Sequence, residues 1–357
     1  MSTLSKEQNA LELKISNSSQ TLPEENNPDN TDFKNKKTLI NFIETIAPEF
    51  RENFELTEYI DTRNNGFVYI GKSKNNYNKQ LYCFSFFNRT NNNTFQNLGK
   101  SKYFGHKNLS KIFGFYKKGG SFYLLSEYFN FGNLKDYQYT FLKRRVLPET
   151  FLCYIMRPIT DALYYIQRNK FLYLDLREGD IALDPDLNIK LKIKSSLFPF
   201  KDYQPNDLIT FPMIGTGRYM APEILNHNKI ETKYGGKIII YSLGVTLYHL
   251  AFGLYPYGLN DIDDDDYDKI IETISKNKTL EFPKDITTSN MLKDFLMNLL
   301  EKDYKKRYSI KDALDDPWIK GWQIIEEEKE NVGMLEIFDK ELRTNGIPKF
   351  NQYIMKK

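Results

Sequence analysis

Residues 171–183, reading FLYLDLREGDIAL, place two aspartates five positions apart between apolar flanks. These are Asp175 and Asp180. Carboxylate oxygens accept protons from hydroxyl groups and are preferred ligands for Mg²⁺. The chemistry open to this segment is therefore the binding of a hydroxyl group, of a metal ion, or of both.

The second informative stretch is residues 215–225, reading GTGRYMAPEIL. It contains, in order, every defined residue of the run G-T-x-x-Y-x-A-P-E, which includes a known kinase signature. This run resembles the end of the activation segment in serine/threonine protein kinases. The match is specific because Pro222 and Glu223 stand side by side after a Tyr-x-Ala sequence.

The resemblance covers about residues 54–319 and implies an α+β, two-lobed fold. It consists of a small antiparallel β lobe with one helix and a larger, mainly α-helical lobe. We predict a disordered N-terminal tail (1–36), an edge helix or linker (37–53), a small lobe (54–129), a large lobe (130–319) and a charged C-terminal tail (320–357).

Within the resemblance, residues 171–183 correspond to the family pattern H-R-D-L-K-x-x-N. Asp175 takes the position of the catalytic base, and Asp180 replaces an asparagine and still offers oxygen to a magnesium ion. Two interpretations stay open: residual metal and hydroxyl binding, or a loop kept for its fold, with Asp175 bonded to nearby backbone. The second is favoured. Leu174 replaces the arginine that receives an activation-loop phosphate, so that switch should be absent.

The family's D-F-G motif, whose aspartate holds magnesium, should follow a short hairpin. The alignment puts residues 193–195 (IKS) there, or residues 195–197 (SSL) if it slides by two. No acidic residue occurs between Asp186 and Asp202, so the metal aspartate is missing in either alignment. Lys194 at this place would repel a metal ion.

The small lobe keeps little of the family's ATP site. Gly66 and Val68 fill the last two positions of the glycine-rich loop, but Asp61 and Arg63 fill the first two, where side chains obstruct the approach to phosphate. Ser85 takes the position of the phosphate-binding lysine, and a hydroxyl cannot neutralise phosphate charge.

At the remaining positions of the family's ATP site, the family residues are likewise replaced or only partly matched. Asn97 takes the place of the glutamate that pairs with the lysine, so both halves of that ion pair are missing together. Lys72 shares strand parity with Val68 and is an alternative source of the lost charge. Glu127 lies in the segment that resembles the hinge, where backbone groups meet adenine.

Positions that serve folding are better retained. The resemblance implies a buried ion pair between Glu223 and Arg307, which ties the A-P-E segment to the large lobe.

Residues 238–255 form an apolar run of eighteen, near the lower limit for a membrane span. Since a histidine, a serine, a threonine and two glycines interrupt it, a buried core helix is favoured.

Composition narrows the function classes further. The formal charge is +3 over 357 residues, which gives no argument for nucleic-acid or membrane binding. The two cysteines, Cys83 and Cys153, lack metal spacing and indicate a reducing compartment. With no apolar signal region at the N-terminus, the prediction is a cytoplasmic, intracellular protein.

Together with the missing residues of the ATP and metal sites, the resemblance implies a pseudokinase. This is an inactive serine/threonine kinase fold that acts as a protein-interaction, scaffolding or regulatory module. No cofactor, bound metal or nucleic acid is expected, and the partner is another protein. The alternative is a weak, unconventional serine/threonine kinase that uses ATP with magnesium and Asp175 as base. A third possibility, nucleotide binding without transfer, lies between them.

Overall fold

A computed structural model describes most of the region between residues 54 and 321. The described residues are 54–63, 66–74, 81–87, 101, 104–118, 121–129, 132–141, 146–183, 188–194, 197–200 and 203–321. The predicted tail 1–36, the edge helix 37–53, the Asn97 position and the C-terminal tail beyond Gly321 lie outside them.

The chain divides into two compact units. The described part of the first is a five-stranded antiparallel sheet of order β1-β2-β3-β5-β4. Its strands are β1 (Phe54–Arg63), β2 (Gly66–Ser73), β3 (Leu81–Phe87), β4 (Ile112–Lys118) and β5 (Ser121–Glu127). β2 and β3 pair antiparallel, with Ile70 opposite Cys83.

Alternation of apolar and polar residues builds the core of this sheet. Phe54 and Leu56 are buried, whereas Glu55 between them is exposed, as the two-residue period of a strand requires. The Phe54 ring meets Tyr82 and Phe84 edge-on, with ring centroids 5.5 and 5.6 Å apart. These contacts hold β1 against β3 across the intervening strand.

The second unit is mainly helical and carries several short strand pairs. Its helices are α1 (Leu134–Phe141), α2 (Glu149–Arg168), α3 (Pro222–Leu225), α4 (Gly235–Phe252), α5 (Tyr267–Lys276), α6 (Asn290–Leu299), α7 (Ile310–Asp315) and α8 (Pro317–Lys320). Its strands are β6 (Phe171–Tyr173), β7 (Ile181–Leu183), β8 (Ile189–Leu191), β9 (Leu197–Pro199), β10 (Leu208–Thr210) and β11 (Lys229–Glu231). β6 pairs with β9, β7 with β8, and β10 with β11, each antiparallel.

Helix α4 forms the centre of this unit. It is buried at almost every position, which confirms the predicted core helix in residues 238–255. Gly244 brings it close to its neighbours, because an added Cβ would lie 2.9 Å from Leu299 and Leu300. Among the helices in the described ranges, none is both long enough and apolar enough to cross a membrane.

Residues 105–109 belong to the second unit although they lie between β3 and β4 in sequence. The Asn108 side chain donates a hydrogen bond of 2.8 Å to the carbonyl of Ile189, and the Leu191 N–H donates one of 2.7 Å to the carbonyl of Asn108. These bonds fix the segment to β8. Together the two units give the α+β fold, with a small antiparallel β lobe and a larger helical lobe, that the sequence predicts.

Candidate functional site

The segment between β6 and β7 carries Asp175 and Asp180 and is held by short local bonds. The Tyr173 hydroxyl, at the end of β6, donates to the carbonyl of Lys192 over 2.8 Å. A single 3-10 turn, Glu178–Asp180, then leads into β7. The Arg177 N–H donates to Oδ2 of Asp180 at 3.1 Å, and the Asp180 N–H donates to the carbonyl of Arg177 at 2.9 Å. This reciprocal pair sets the direction of the Asp180 carboxylate.

Lys194, just beyond β8, contacts both carboxylates. Its Nζ lies 2.5 Å from Oδ2 of Asp175 and 2.7 Å from Oδ2 of Asp180. The side chains of Asp175 and Asp180 are only 12% and 8% exposed, and that of Lys194 is 22% exposed. The ammonium therefore offsets part of the negative charge of the pair away from most of the solvent, where a charge needs a partner.

The other oxygen of Asp175 faces the residues before the A-P-E segment. Oδ1 accepts a hydrogen bond of 3.3 Å from the Thr216 N–H, and Arg177 Nη1 donates to the Thr216 hydroxyl at 3.0 Å. Gly215 has a φ of +122°, and a Cβ there would lie 2.8 Å from Asp175. Glycine is thus required both by the backbone angle and by the close approach of Asp175.

Burial sets the electrostatics of this cluster. It raises the pKa of the Asp180 carboxyl above its ordinary value, Asp175 adds to the rise, and Lys194 opposes it. Burial likewise raises the pKa of Tyr173 far above its ordinary value, and the charges of Asp180 and Asp175 contribute. Tyr173 therefore stays protonated, as its hydroxyl must to donate to Lys192.

Glu178 belongs to a separate buried cluster. The Tyr219 hydroxyl donates to its Oε2 over 2.6 Å, and His249 Nδ1 lies 3.7 Å from its Oε1, beyond hydrogen-bond reach. On the other side, the His249 ring stacks on Tyr255 at a centroid distance of 4.3 Å. Arg218 lies 4.3 Å from the centre of the same Tyr255 ring. The cluster links the turn at 178–180 to the A-P-E segment and to helix α4.

Glu223 and Arg307 are in direct contact. Arg307 Nη1 and Nη2 donate to the two carboxylate oxygens of Glu223 at 2.7 and 3.0 Å. Both side chains are buried, at 2% or less exposure. Arg307 also donates to the carbonyls of Lys237, Glu301 and Lys302, so its remaining N–H groups are satisfied.

Comparison with known proteins places this geometry in a family. The model of the protein kinase domain matches residues 66–319, which is more than half of the chain. The chain belongs to the protein kinase family. It is 27% identical over 214 residues to the human serine/threonine-protein kinase ULK3, and 28% identical over 214 residues to the mouse serine/threonine-protein kinase DCLK3.

These kinase relatives are longer proteins. Each alignment covers 60% of this chain, but only 42% of the human protein and 26% of the mouse protein. The chain thus spans less than half the length of either relative. The likeness concerns the kinase domain that they share.

The magnesium site of the kinase family does not fit the residues of this chain. Kinases hold magnesium with the aspartate of D-F-G and the asparagine of the catalytic loop. Here no acidic residue occurs between Asp186 and Asp202, where the first of these ligands would lie, and the Lys194 ammonium fills the space between Asp175 and Asp180. Across the described residues, no group of three His, Cys, Asp or Glu side chains could hold a metal ion.

The glycine-loop and lysine positions of the kinase fold lie on the sheet of the first unit. Gly66 opens β2 opposite Arg63, and Val68 pairs with Asp61 on one side and with Ser85 on the other. The Ser85 hydroxyl lies 3.7 Å from the Sγ of Cys83, which is a neutral environment.

The alternative cation Lys72 forms an exposed ion pair in the first unit. Its Nζ pairs with Glu55 at 3.2 Å, and the two side chains are 47% and 54% exposed. Glu127, at the hinge-like position, accepts a hydrogen bond of 3.1 Å from the Lys111 N–H through its side chain. Its own N–H donates to the carbonyl of Lys111, which fixes the end of β5.

Sequence reasoning singled out Lys194 as a residue that would repel a metal, but it did not predict the contacts with Asp175 and Asp180. The available signal was the alternation of lysines at 190, 192 and 194 around β8. Sequence reasoning also missed Glu178 and His249 as a buried pair. His249 is one of three histidines in the chain. Its place inside the apolar run of helix α4 was the only sequence feature that could have indicated a buried polar contact.

Proposed function

We propose that this protein is a pseudokinase: a protein-kinase fold that does not transfer phosphate efficiently and acts as a protein-interaction or regulatory module. The observation that carries the proposal is the position of Lys194, whose Nζ bonds to both Asp175 and Asp180. An aspartate engaged by an ammonium and by the Thr216 N–H is not open to accept a proton from a substrate hydroxyl.

Losses elsewhere in the chain support the same conclusion. Kinase catalysis is almost entirely positioning and charge stabilisation by the lysine, the metal ions and their ligands. Ser85 replaces the lysine, and of the two metal-ligand positions only the asparagine position, held here by Asp180, offers a carboxylate. Since one electrostatic group is often worth about a hundredfold in rate, the combined losses should reduce transfer by many powers of ten.

By contrast, the buried contacts that hold the A-P-E segment in place are present. The A-P-E segment is joined to the large lobe by Glu223 and Arg307 and to the catalytic loop by Tyr219 and Glu178. A folded lobe with a closed catalytic centre suits a protein partner better than a small substrate. The cysteine usage of the chain is consistent with an intracellular, cytoplasmic setting. Its small net charge is consistent with a partner that is a protein rather than a nucleic acid.

The first test is thermal unfolding of the purified protein with and without millimolar ATP plus magnesium or manganese. A ligand at a hundred times its dissociation constant adds about 2.7 kcal/mol, which is a readily visible shift. We expect no metal-dependent shift. A clear shift would favour the weak-kinase alternative, or nucleotide binding without transfer, and a phosphotransfer assay would separate these two.

In that assay, transfer that is present in the wild type and lost in Asp175→Ala would overturn the pseudokinase proposal. An activity that survives Asp175→Ala would instead indicate a contaminating kinase. Transfer at the background level in both proteins is the expected result.

A further inference from the structure

Asp175 and Asp180 converge on one point, and an ammonium occupies it. Each carboxylate receives one backbone N–H, from Thr216 and Arg177 respectively, and the two share Lys194. With exposures of 12% and 8%, solvent alone cannot screen their repulsion. The pair needs a positive charge at this place.

We propose that Lys194 is the resident cation of this site, so that the Asp175–Asp180 pair binds a divalent cation such as Mg²⁺ or Mn²⁺ once the lysine charge is removed. The inference deepens the proposed function, because it explains what the closed catalytic centre does instead of holding metal for phosphate transfer. The Lys194 ammonium, which is covalently attached to the chain, supplies the positive charge that a bound metal ion would otherwise supply to the two carboxylates.

The other charged groups around the pair do not bridge it, although Arg177 attracts both carboxylates. Arg177 directs Nη1 to the Thr216 hydroxyl, and Lys192 Nζ lies 3.4 Å from the carbonyl of Gly179. Glu178 faces Tyr219 and His249 rather than the pair. Of the described cations, Lys194 is the one whose ion pairs join Asp175 to Asp180.

The donor set suits a hard cation. Mg²⁺ is commonly held by one or two carboxylates together with substrate phosphates, and waters complete its octahedron. Lys194 at 22% exposure shows that solvent reaches this point, so waters can complete the shell. Because Asp175 and Asp180 are both largely buried, loss of the ammonium leaves two carboxylates side by side without the cation that joins them.

The tether makes assembly of the site independent of divalent cations. Lys194 holds Asp175, and the second oxygen of Asp175 holds the Thr216 N–H at the start of the A-P-E segment. The segment that follows is therefore ordered without nucleotide or metal, which suits a module that binds a protein partner.

The test is metal rescue of Lys194→Gln, measured by thermal unfolding of the full chain in EDTA, in MgCl₂ and in MnCl₂, without nucleotide. The Tm of the wild type should be the same in all three. The Tm of the variant should fall in EDTA and rise by about 5 °C or more in saturating MnCl₂, but not in NaCl of equal ionic strength. Lys192→Gln, which removes a neighbouring lysine, should gain no such response.

Two further variants make the result decisive. Lys194→Gln combined with Asp180→Asn should lose the rescue, whereas Lys194→Arg should stay insensitive to metal because it keeps the charge. If Lys194→Gln fails to fold in EDTA, refolding in MnCl₂ and counting bound Mn²⁺ by electron paramagnetic resonance replace the melting experiment.

A Lys194→Gln protein that binds no Mn²⁺ and gains no stability from it would overturn this inference alone. Phosphate transfer by the wild type would overturn the proposed function instead, so the two failures are distinguishable.

Discussion

Arg307 binds Glu223 through both guanidinium nitrogens, at 2.7 and 3.0 Å, with both side chains almost completely buried. Removal of one partner from a buried ion pair leaves an uncompensated charge and costs about 3–5 kcal/mol. We therefore expect Arg307→Ala to lower the free energy of unfolding by about that amount, measured by urea denaturation.

The matched control for that experiment is the exposed pair of Glu272 and Lys276, at 70% and 59% exposure for the lysine and the glutamate. Its separation is as short as 2.5 Å, but solvent screens it. Lys276→Ala should leave the unfolding free energy unchanged within error. Equal effects of the two substitutions would show that Arg307 does not stabilise the fold through its buried pair.

Gly215 packs closely against Asp175, and its φ of +122° is one that residues with a side chain rarely adopt. We expect Gly215→Ala to destabilise the protein by about 1–3 kcal/mol, because its Cβ would be strained and would collide with Asp175. Gly179→Ala is the control, since an added Cβ there would meet nothing within 4 Å. Chemical denaturation of both variants checks the prediction, and equal stabilities would contradict it.

Glu178 should make stability depend on pH on the acid side. Burial by itself raises the pKa of its carboxyl, but the attraction of His249 and the hydrogen bond from Tyr219 lower it overall below the ordinary 4.5. For an acid whose folded pKa is lowered, the contribution to stability is complete above the unfolded value. It is lost as pH falls through the folded value.

Glu178→Gln removes this contribution while it keeps an acceptor for the Tyr219 hydroxyl. The difference in unfolding free energy between wild type and variant should therefore be largest near neutral pH and should shrink as pH falls from about 6 to about 3. Urea denaturation at a series of pH values measures it. A difference that grows on acidification would reverse the sign and contradict the assignment.

The sequence predicts the fold class because its signals are local and redundant. Residues 215–225 carry a specific motif, and residues 238–255 are apolar all round, as a buried helix must be. Each signal points to the same fold independently of the other. The helix that it predicts, α4, is indeed buried almost throughout.

The chemistry of the site could be predicted only in part, because it depends on where long side chains end. The sequence identifies Asp175 and Asp180 as neighbours in one loop, yet Lys194 follows fourteen residues or more later, across a hairpin. Its four-carbon stem can point to either side of that backbone. The pairing of Glu178 with His249 likewise needs the packing of α4 against the loop, which no local pattern records.

Ser85 provides the last test, because a single substitution there restores the family's phosphate-binding lysine. Ser85→Lys supplies a charge that can bind phosphate, but it leaves Lys194 on Asp175 and Asp180 and restores no metal carboxylate. We therefore expect Ser85→Lys to transfer no phosphate from ATP above the background of the Ser85→Ala control, even if it binds ATP. Radiometric transfer to a generic protein substrate measures activity, and thermal shift with ATP measures binding. Transfer by Ser85→Lys alone would mean that the missing lysine, and not the occupied carboxylate pair, is what blocks catalysis.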